Sequence, residues 1–176
     1  SIVRDYLLAN PELLEEVFTE LQRKREAEAS AARIEQLAVY REELENSPLD
    51  PVLGNPEGDV TLVEFFDYNC GYCRRAMEDI LRLVEADDDV RVVFKEFPVL
   101  GESSIEAAQV SIAVNEVAPE AYEEFHVRLM ETDEPANARL ALALVDEMGL
   151  PRAEIEAAMT APVVQKTVEE TYQLAN

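Results

Sequence analysis

Scarcity frames this sequence of 176 residues, which holds one histidine, His126, two cysteines, Cys70 and Cys73, and no tryptophan. One histidine excludes a multi-histidine metal site within a chain, and two cysteines exclude a four-cysteine zinc cluster. Positive charge is also short: 15 basic residues stand against 38 acidic ones, a formal net charge of −23. With a pI near 4.2, nucleic-acid backbones and anionic membrane surfaces are poor partners. No apolar run approaches the roughly 18 residues of a membrane span. The chain opens Ser1-Ile2-Val3, without an initiator methionine or a basic-then-apolar leader. An export signal is therefore expected to have been removed or to lie outside it.

What is present is a chain with 48% apolar residues, enough for one cored domain plus an appendage and too short for two full domains. Residues 1–46 read as a helical arm with no glycine, a short helix followed by a long one, with Asn10-Pro11 as cap and first helical position. Leu14, Val17, Leu21, Leu37 and Leu44 keep helical intervals, whereas Arg23 to Ala32 holds only charged residues, alanines and Ser30. Two readings stay open for this arm, a helix lying on its own domain or one pairing with the same arm of another subunit.

Prolines 48, 51 and 56 with Gly54 and Gly58 mark residues 47–58 as an irregular linker or edge segment. Val60 to Phe66 then reads as a strand buried on both faces and central in its sheet. Helical spacing from Cys73 to Val84 and a second strand, Val90 to Phe97, complete a βαβ unit with parallel strands. Beyond Gly101 every segment reads as helix. Ser103 and Glu106 have capping-box spacing, Asn137 is placed to cap Ala138 to Met148 before Gly149, and Pro119, Pro151 and Pro162 open the other segments.

Cys70-Gly71-Tyr72-Cys73 sits where a buried strand hands over to a helix. Chance puts two cysteines three apart in roughly one such chain in a hundred, so the spacing asks for a reason. A cysteine at a helix N-terminus meets unpaired N–H groups and the positive end of the dipole, both of which favour thiolate. Cys70 is therefore expected to be the nucleophile. Cys73, one turn on, lies within disulfide reach and is expected to be the more buried, resolving thiol. Gly71 is expected to permit a tight turn and an open approach, Tyr72 completes the dipeptide that tunes the pair, and Arg74 and Arg75 add local positive charge. A mixed disulfide formed on Cys70 and resolved by Cys73 is the chemistry such a pair performs. Other readings are a structural disulfide in a non-catalytic oligomeric scaffold, a zinc module completed by His126 and a carboxylate, and a cysteine hydrolase using His126.

Glu64-Phe65-Phe66-Asp67-Tyr68-Asn69-Cys70-Gly71-Tyr72-Cys73-Arg74, then Phe94-Lys95-Glu96-Phe97-Pro98-Val99-Leu100-Gly101, then Phe125-His126 in a helical insert resemble the bacterial DsbA-like thiol–disulfide oxidoreductases. The resemblance is to the branch with an N-terminal helical extension that includes ScsC-type proteins. It implies an α/β, thioredoxin-like fold with a helical insertion at about 103–176 of a domain 59–176, preceded by the helical arm. Implied with it are activity on cysteines of exported proteins, a redox partner protein that re-oxidises or reduces the pair, and a periplasmic or otherwise extracytoplasmic setting. Homo-oligomerisation through residues 1–46 and isomerase activity are implied by the ScsC-type branch. The resemblance also makes Glu64 a buried proton acceptor beneath the cysteines, for which Lys95 is either the ion-pair partner or an exposed strand-end charge. No cofactor beyond the Cys70–Cys73 disulfide and no metal is expected. The cis-proline loop and last strands of the fold are expected to be absent, since the chain stops at Leu174-Ala175-Asn176 where that loop would start. Neither Pro98 nor Pro162 suits the cis-proline position.

Overall fold

The structure is a computed structural model and describes residues 2–175. It divides into two compact units, residues 1–41 and 42–176. The first carries helices α1 (Ile2–Ala9) and α2 (Glu12–Val39), neither with a buried residue. The expected Asn10 cap does not form: Pro11 itself takes the N-cap position of α2, with no side-chain cap, and the Asn10 amide donates to the Tyr6 carbonyl at 2.8 Å at the end of α1. The long helix does not run to residue 46. It stops at Val39, a bend at Tyr40 follows, and a short helix α3 (Arg41–Glu45) leads on.

The second unit is built on a sheet ordered β1-β3-β2, from β1 (Val52–Gly54), β2 (Val60–Phe66) and β3 (Val90–Glu96). β2 and β3 are parallel, joined by α4 (Gly71–Ala86), as the βαβ reading requires. Two expectations are corrected. The proline-rich stretch 47–58 contains a strand, β1, antiparallel to β3 and pairing Leu53 with Val92. β3, not β2, is central: its residues are buried almost throughout, whereas Val60 and Leu62 of β2 are exposed. β2 has one hydrogen-bonded neighbour among the described strands. A β-branched, aromatic run signals burial but carries no information about how many neighbours a strand has.

Side chains alternate across the sheet. Glu64, Phe66, Val92, Phe94 and Leu53 share one face through the pairs Glu64↔Phe94 and Leu53↔Val92. On that face α4 and α6 (Tyr122–Met130) contribute Met77, Ile80, Phe125, His126 and Leu129 to the core. Phe65 and Lys95 belong to the other face, where α9 (Pro162–Ala175) packs on β3 and the Tyr172 ring lies 5.1 Å from Phe97.

The remaining helices are α5 (Glu102–Val117), α7 (Ala138–Glu147) and α8 (Arg152–Ala158). α5 contacts α6, α7, α8 and α9, and its buried residues are small or β-branched, which lets helices approach closely. Asn137 caps α7 by accepting from the Leu140 N–H at 3.0 Å, and Gly149 follows α7 with φ 69°. The Ser103/Glu106 capping box does not form. α5 starts after Gly101 with no side-chain cap, because Glu106 instead accepts from the Ala138 N–H at the head of α7.

Candidate active site

The cysteines stand where β2 gives way to α4. After Phe66 the chain turns through Asp67-Tyr68-Asn69, with the Cys70 N–H donating to the Asp67 carbonyl at 2.9 Å, and Cys70 becomes the N-cap of α4. Both cysteines are free thiols and half-buried. Burial of the Cys70 sulfur pushes its thiol up, but the Cys73 N–H, the Cys73 thiol and the Tyr72 N–H outweigh it, and the net shift is downward. Cys73 goes the other way: burial, the Cys70 sulfur and the nearby Glu64 carboxyl push it up to about 11, against a donor in the Asp67 main chain. The pair is thus polarised into an accessible thiolate former and a thiol that holds its proton.

Glu64 lies on the same sheet face, and its carboxyl is raised to about 7 by burial alone. Its Oε2 has no hydrogen-bond partner. A carboxyl that titrates near neutrality next to a thiol at about 11 is suited to taking or giving that thiol's proton.

The pairing of Lys95 with Glu64 is not found, and Lys95 is not exposed either. Phe65, not Glu64, stands opposite Lys95 in the register, so the two side chains leave the sheet on opposite faces. Lys95 is buried, with an ion pair to Asp50 and a 2.7 Å bond to the Glu43 carbonyl. The leading groups that lower Cys70 are main-chain N–H groups and the Cys73 thiol, ahead of Arg74 and Arg75. Arg74 spends its guanidinium on carbonyls: Nε donates to Tyr68 at 2.8 Å, and the other nitrogens to Thr132 and, at 3.3 Å, Glu134. Arg75 donates to the Gly71 carbonyl and lies 4.6 Å above the exposed Tyr72 ring. Both serve as structural ties here. Gly71 has no positive φ, so the turn does not need a glycine; a Cβ there would meet nothing within 4 Å, in keeping with an open approach.

His126 is sealed among Phe66, Phe94, Tyr68 and Tyr122, and its Nδ1 is 2.9 Å from the Tyr68 hydroxyl. Burial lowers it to about 3, which leaves a neutral core histidine and no general base for Cys70. Among the described residues no cluster of three or more His, Cys, Asp or Glu is gathered as a metal site.

Asp67-Tyr68-Asn69 belongs to the motif that carries the family resemblance, but the sequence assigns these three residues no role of their own. Asp67 is buried, and its carboxylate accepts four bonds, from the N–H groups of Asn69, Val99 and Leu100 and from the Ser104 hydroxyl, at 2.8 to 2.9 Å. Asn69 clasps Ala136 in both directions, accepting from its N–H at 2.7 Å and donating to its carbonyl at 3.0 Å. Three consecutive polar residues just ahead of a Cys-x-x-Cys pair were the available signal.

With this geometry in place, comparison with known proteins assigns the chain. Residues 46–176 match the family described as Thioredoxin, and residues 1–28 match the copper resistance protein ScsC N-terminal domain. The chain belongs to the thioredoxin family. Within it the chain is DsbA-like, with a ScsC-type extension. A thioredoxin-like oxidoreductase from Silicibacter pomeroyi is 47% identical with a TM-score of 0.73, the match covering 77% of each chain. ScsC of Proteus mirabilis in a transitional conformation is 30% identical with a TM-score of 0.72, over 99% of this chain and 76% of that one. Disulfide bond formation protein D of Bacillus subtilis is 35% identical over 85 residues, 46% of this chain and 38% of that protein. The chain thus aligns with well under half of that curated relative.

Proposed function

We propose that this protein is a thiol–disulfide oxidoreductase that forms or isomerises disulfides in exported proteins, with Cys70 as nucleophile and Cys73 as resolving thiol. The observation that carries this reading is the placement of two free thiols at the start of one helix, Cys70 at the N-cap of α4 and Cys73 one turn on, with which the opposed shifts, Cys70 down and Cys73 up to about 11, agree. In oxidised form, a substrate thiolate attacks the Cys70 sulfur, Cys73 leaves and takes a proton, and a mixed disulfide forms. A second substrate thiolate then displaces Cys70, so the substrate gains a disulfide and the protein becomes the dithiol. Isomerisation starts from the dithiol, with Cys70 attacking a substrate disulfide. Glu64 is the group that exchanges the Cys73 proton in either direction. The Cys70–Cys73 disulfide is the redox group, with no other cofactor in the reading.

Similarity to a periplasmic thioredoxin-like protein of Salmonella enterica, 27% identical with a TM-score of 0.67, supports a periplasmic setting, and a dithiol left after each oxidation calls for a partner protein that resets the redox state. Self-association through residues 1–46 is supported by the exposed Ile2, Val3, Leu8, Val17 and Phe18. Deleting residues 1–46 is expected to lower the number of subunits per particle in light scattering, beyond the mass of the deleted segment itself; an unchanged subunit number contradicts the oligomerisation.

The test of the activity is the alkylation rate of Cys70 against pH in the reduced protein, alongside refolding of scrambled ribonuclease and oxidation of reduced ribonuclease. An inflection below the ordinary thiol value near 8.5 is expected, with Cys70→Ser inactive in both assays. An inflection at or above 8.5 contradicts an activated nucleophile. Glu64→Gln is expected to slow the steps that move the Cys73 proton by ~10-fold or more while leaving the Cys70 alkylation rate unchanged.

A further inference from the structure

We propose that Asp67 is a positioning residue that sets the redox poise of the Cys70–Cys73 pair, holding it less oxidising than the helix N-terminus alone would make it. The inference rests on the dithiol reading above. Asp67 touches the pair through its main chain, its carbonyl accepting from the Cys70 N–H at 2.9 Å and its N–H facing the Cys73 sulfur. Its carboxylate is 3% exposed and accepts on both oxygens, from Asn69 and Ser104 on Oδ1 and from Val99 and Leu100 on Oδ2. Four donors on an acceptor-only group fix a negative charge in place three residues before the nucleophile.

Among the described residues no cation forms an ion pair with that carboxylate. Arg74 is turned to the carbonyls of Tyr68, Thr132 and Glu134, Arg75 to Gly71 and the Tyr72 ring, and Lys95 lies on the far face of the sheet. The other acids around the turn differ in kind. Glu102 beyond the β3 end and Asp133 and Glu134 before α7 are exposed and screened by water, and the half-buried Glu64 acts on Cys73. Glu96, as buried as Asp67 at the end of β3, is pushed well above the ordinary carboxyl range by burial and by Asp67 itself, which holds it protonated. Asp67 is the buried carboxylate whose field reaches Cys70, and it works against the thiolate that the Tyr72 and Cys73 N–H groups favour. The redox balance follows from this opposition. In the equilibrium of protein disulfide plus two glutathione with protein dithiol plus glutathione disulfide, two electrons and two protons pass to the protein. Whatever stabilises the Cys70 thiolate draws that equilibrium toward dithiol.

The full chain carrying Asp67→Asn, and separately Ser104→Ala, decides the matter by two readouts, the thiolate absorbance of Cys70 against pH and the equilibrium with a glutathione buffer. Asp67→Asn removes the charge. It is expected to lower the Cys70 titration point and move the equilibrium toward dithiol by at least threefold, about 14 mV at 29.6 mV per tenfold. Ser104→Ala keeps the charge and removes one donor that compensates it, so it is expected to raise the titration point and move the equilibrium the other way. A clamp that only holds the loop moves both variants in the same direction, or neither, and that result overturns the proposal. If Asp67→Asn does not fold, Ser104→Ala decides alone: an upward shift supports the proposal, and no shift or a downward one overturns it. Wild-type protein that exchanges no disulfide with glutathione sinks the functional reading instead, and the Cys70 titrations of the variants still decide the role of Asp67.

Discussion

The two faces of the β2–β3 ladder bury charge in opposite ways. On one, Lys95 meets Asp50 and the Glu43 carbonyl, so a buried ammonium is met by a carboxylate and a second acceptor. On the other, Glu64 is raised to about 7 with one oxygen unpartnered, and His126 is held neutral with its Nε2 unpartnered. A satisfied buried ion fixes geometry, whereas an unsatisfied titratable group is held ready to change its protonation state. The unsatisfied face is the one that carries the cysteines. On the Lys95 face both cations of β3 reach back to the segment before β1, since Arg91 donates to the Asn46 side chain at 3.2 Å and to the Glu45 carbonyl at 2.5 Å, leaving only its Nε without a partner. That face anchors the chain's entry into the domain.

The sharpest way to break the contrast is at Lys95. Lys95→Met leaves Asp50 as a buried carboxylate without its counter-ion, which is expected to cost about 3–5 kcal/mol in denaturant unfolding. Adding Asp50→Leu is expected to recover most of that loss, because removing both charges removes the desolvation penalty with them. Neither change is expected to move the Cys70 alkylation profile. A shift in that profile would show that the two faces are electrically linked.

His126 gives the next largest effect, on the unsatisfied face. Its folded-state value of about 3 lies below the ordinary 6.5, so between these values the unfolded chain binds a proton that the folded chain refuses. Stability is therefore lost as pH falls from 6.5 toward 3, by about 2 kcal/mol at pH 5. His126→Phe, which suits an aromatic surround, is expected to flatten that slope in urea titrations at several pH values. A wild-type curve that is level between pH 6.5 and 4 would mean the imidazole reaches water.

How far these features were legible in the sequence depends on how local their causes are. The strand–helix junction, the Cys-x-x-Cys pair, the Asn137 cap and the parallel βαβ unit each follow from a run of neighbouring residues, and each appears in the structure. The partner of Lys95 does not follow locally: Asp50 lies 45 positions earlier in a proline-rich segment, and only the strand register decides which face each side chain takes. Asp67, Tyr68 and Asn69 were hidden for the same reason. Their partners come from Ser104, Ser111 and Ala136, on elements that spacing alone does not bring together. β1 escaped notice because three residues between prolines are too few to show a period.

The smallest predicted stability effect is at Glu64, and its sign is opposite to that of His126. An acid whose folded-state value is raised from 4.5 to about 7 binds its proton more readily when folded. Its contribution is fully present below 4.5 and is lost as pH rises toward 7. Glu64→Gln, neutral at every pH, is therefore expected to be more stable than wild type at pH 8 by about 1 kcal/mol, reduced from the full shift because the carboxyl is only half-buried. At pH 4 the two should unfold together. The same substitution that slows the resolving step thus stabilises the fold, as expected if the carboxyl is retained for chemistry and not for structure. If Glu64→Gln is no more stable than wild type at pH 8, water or a counter-ion satisfies the carboxylate, and the contrast between the two faces rests on His126 alone.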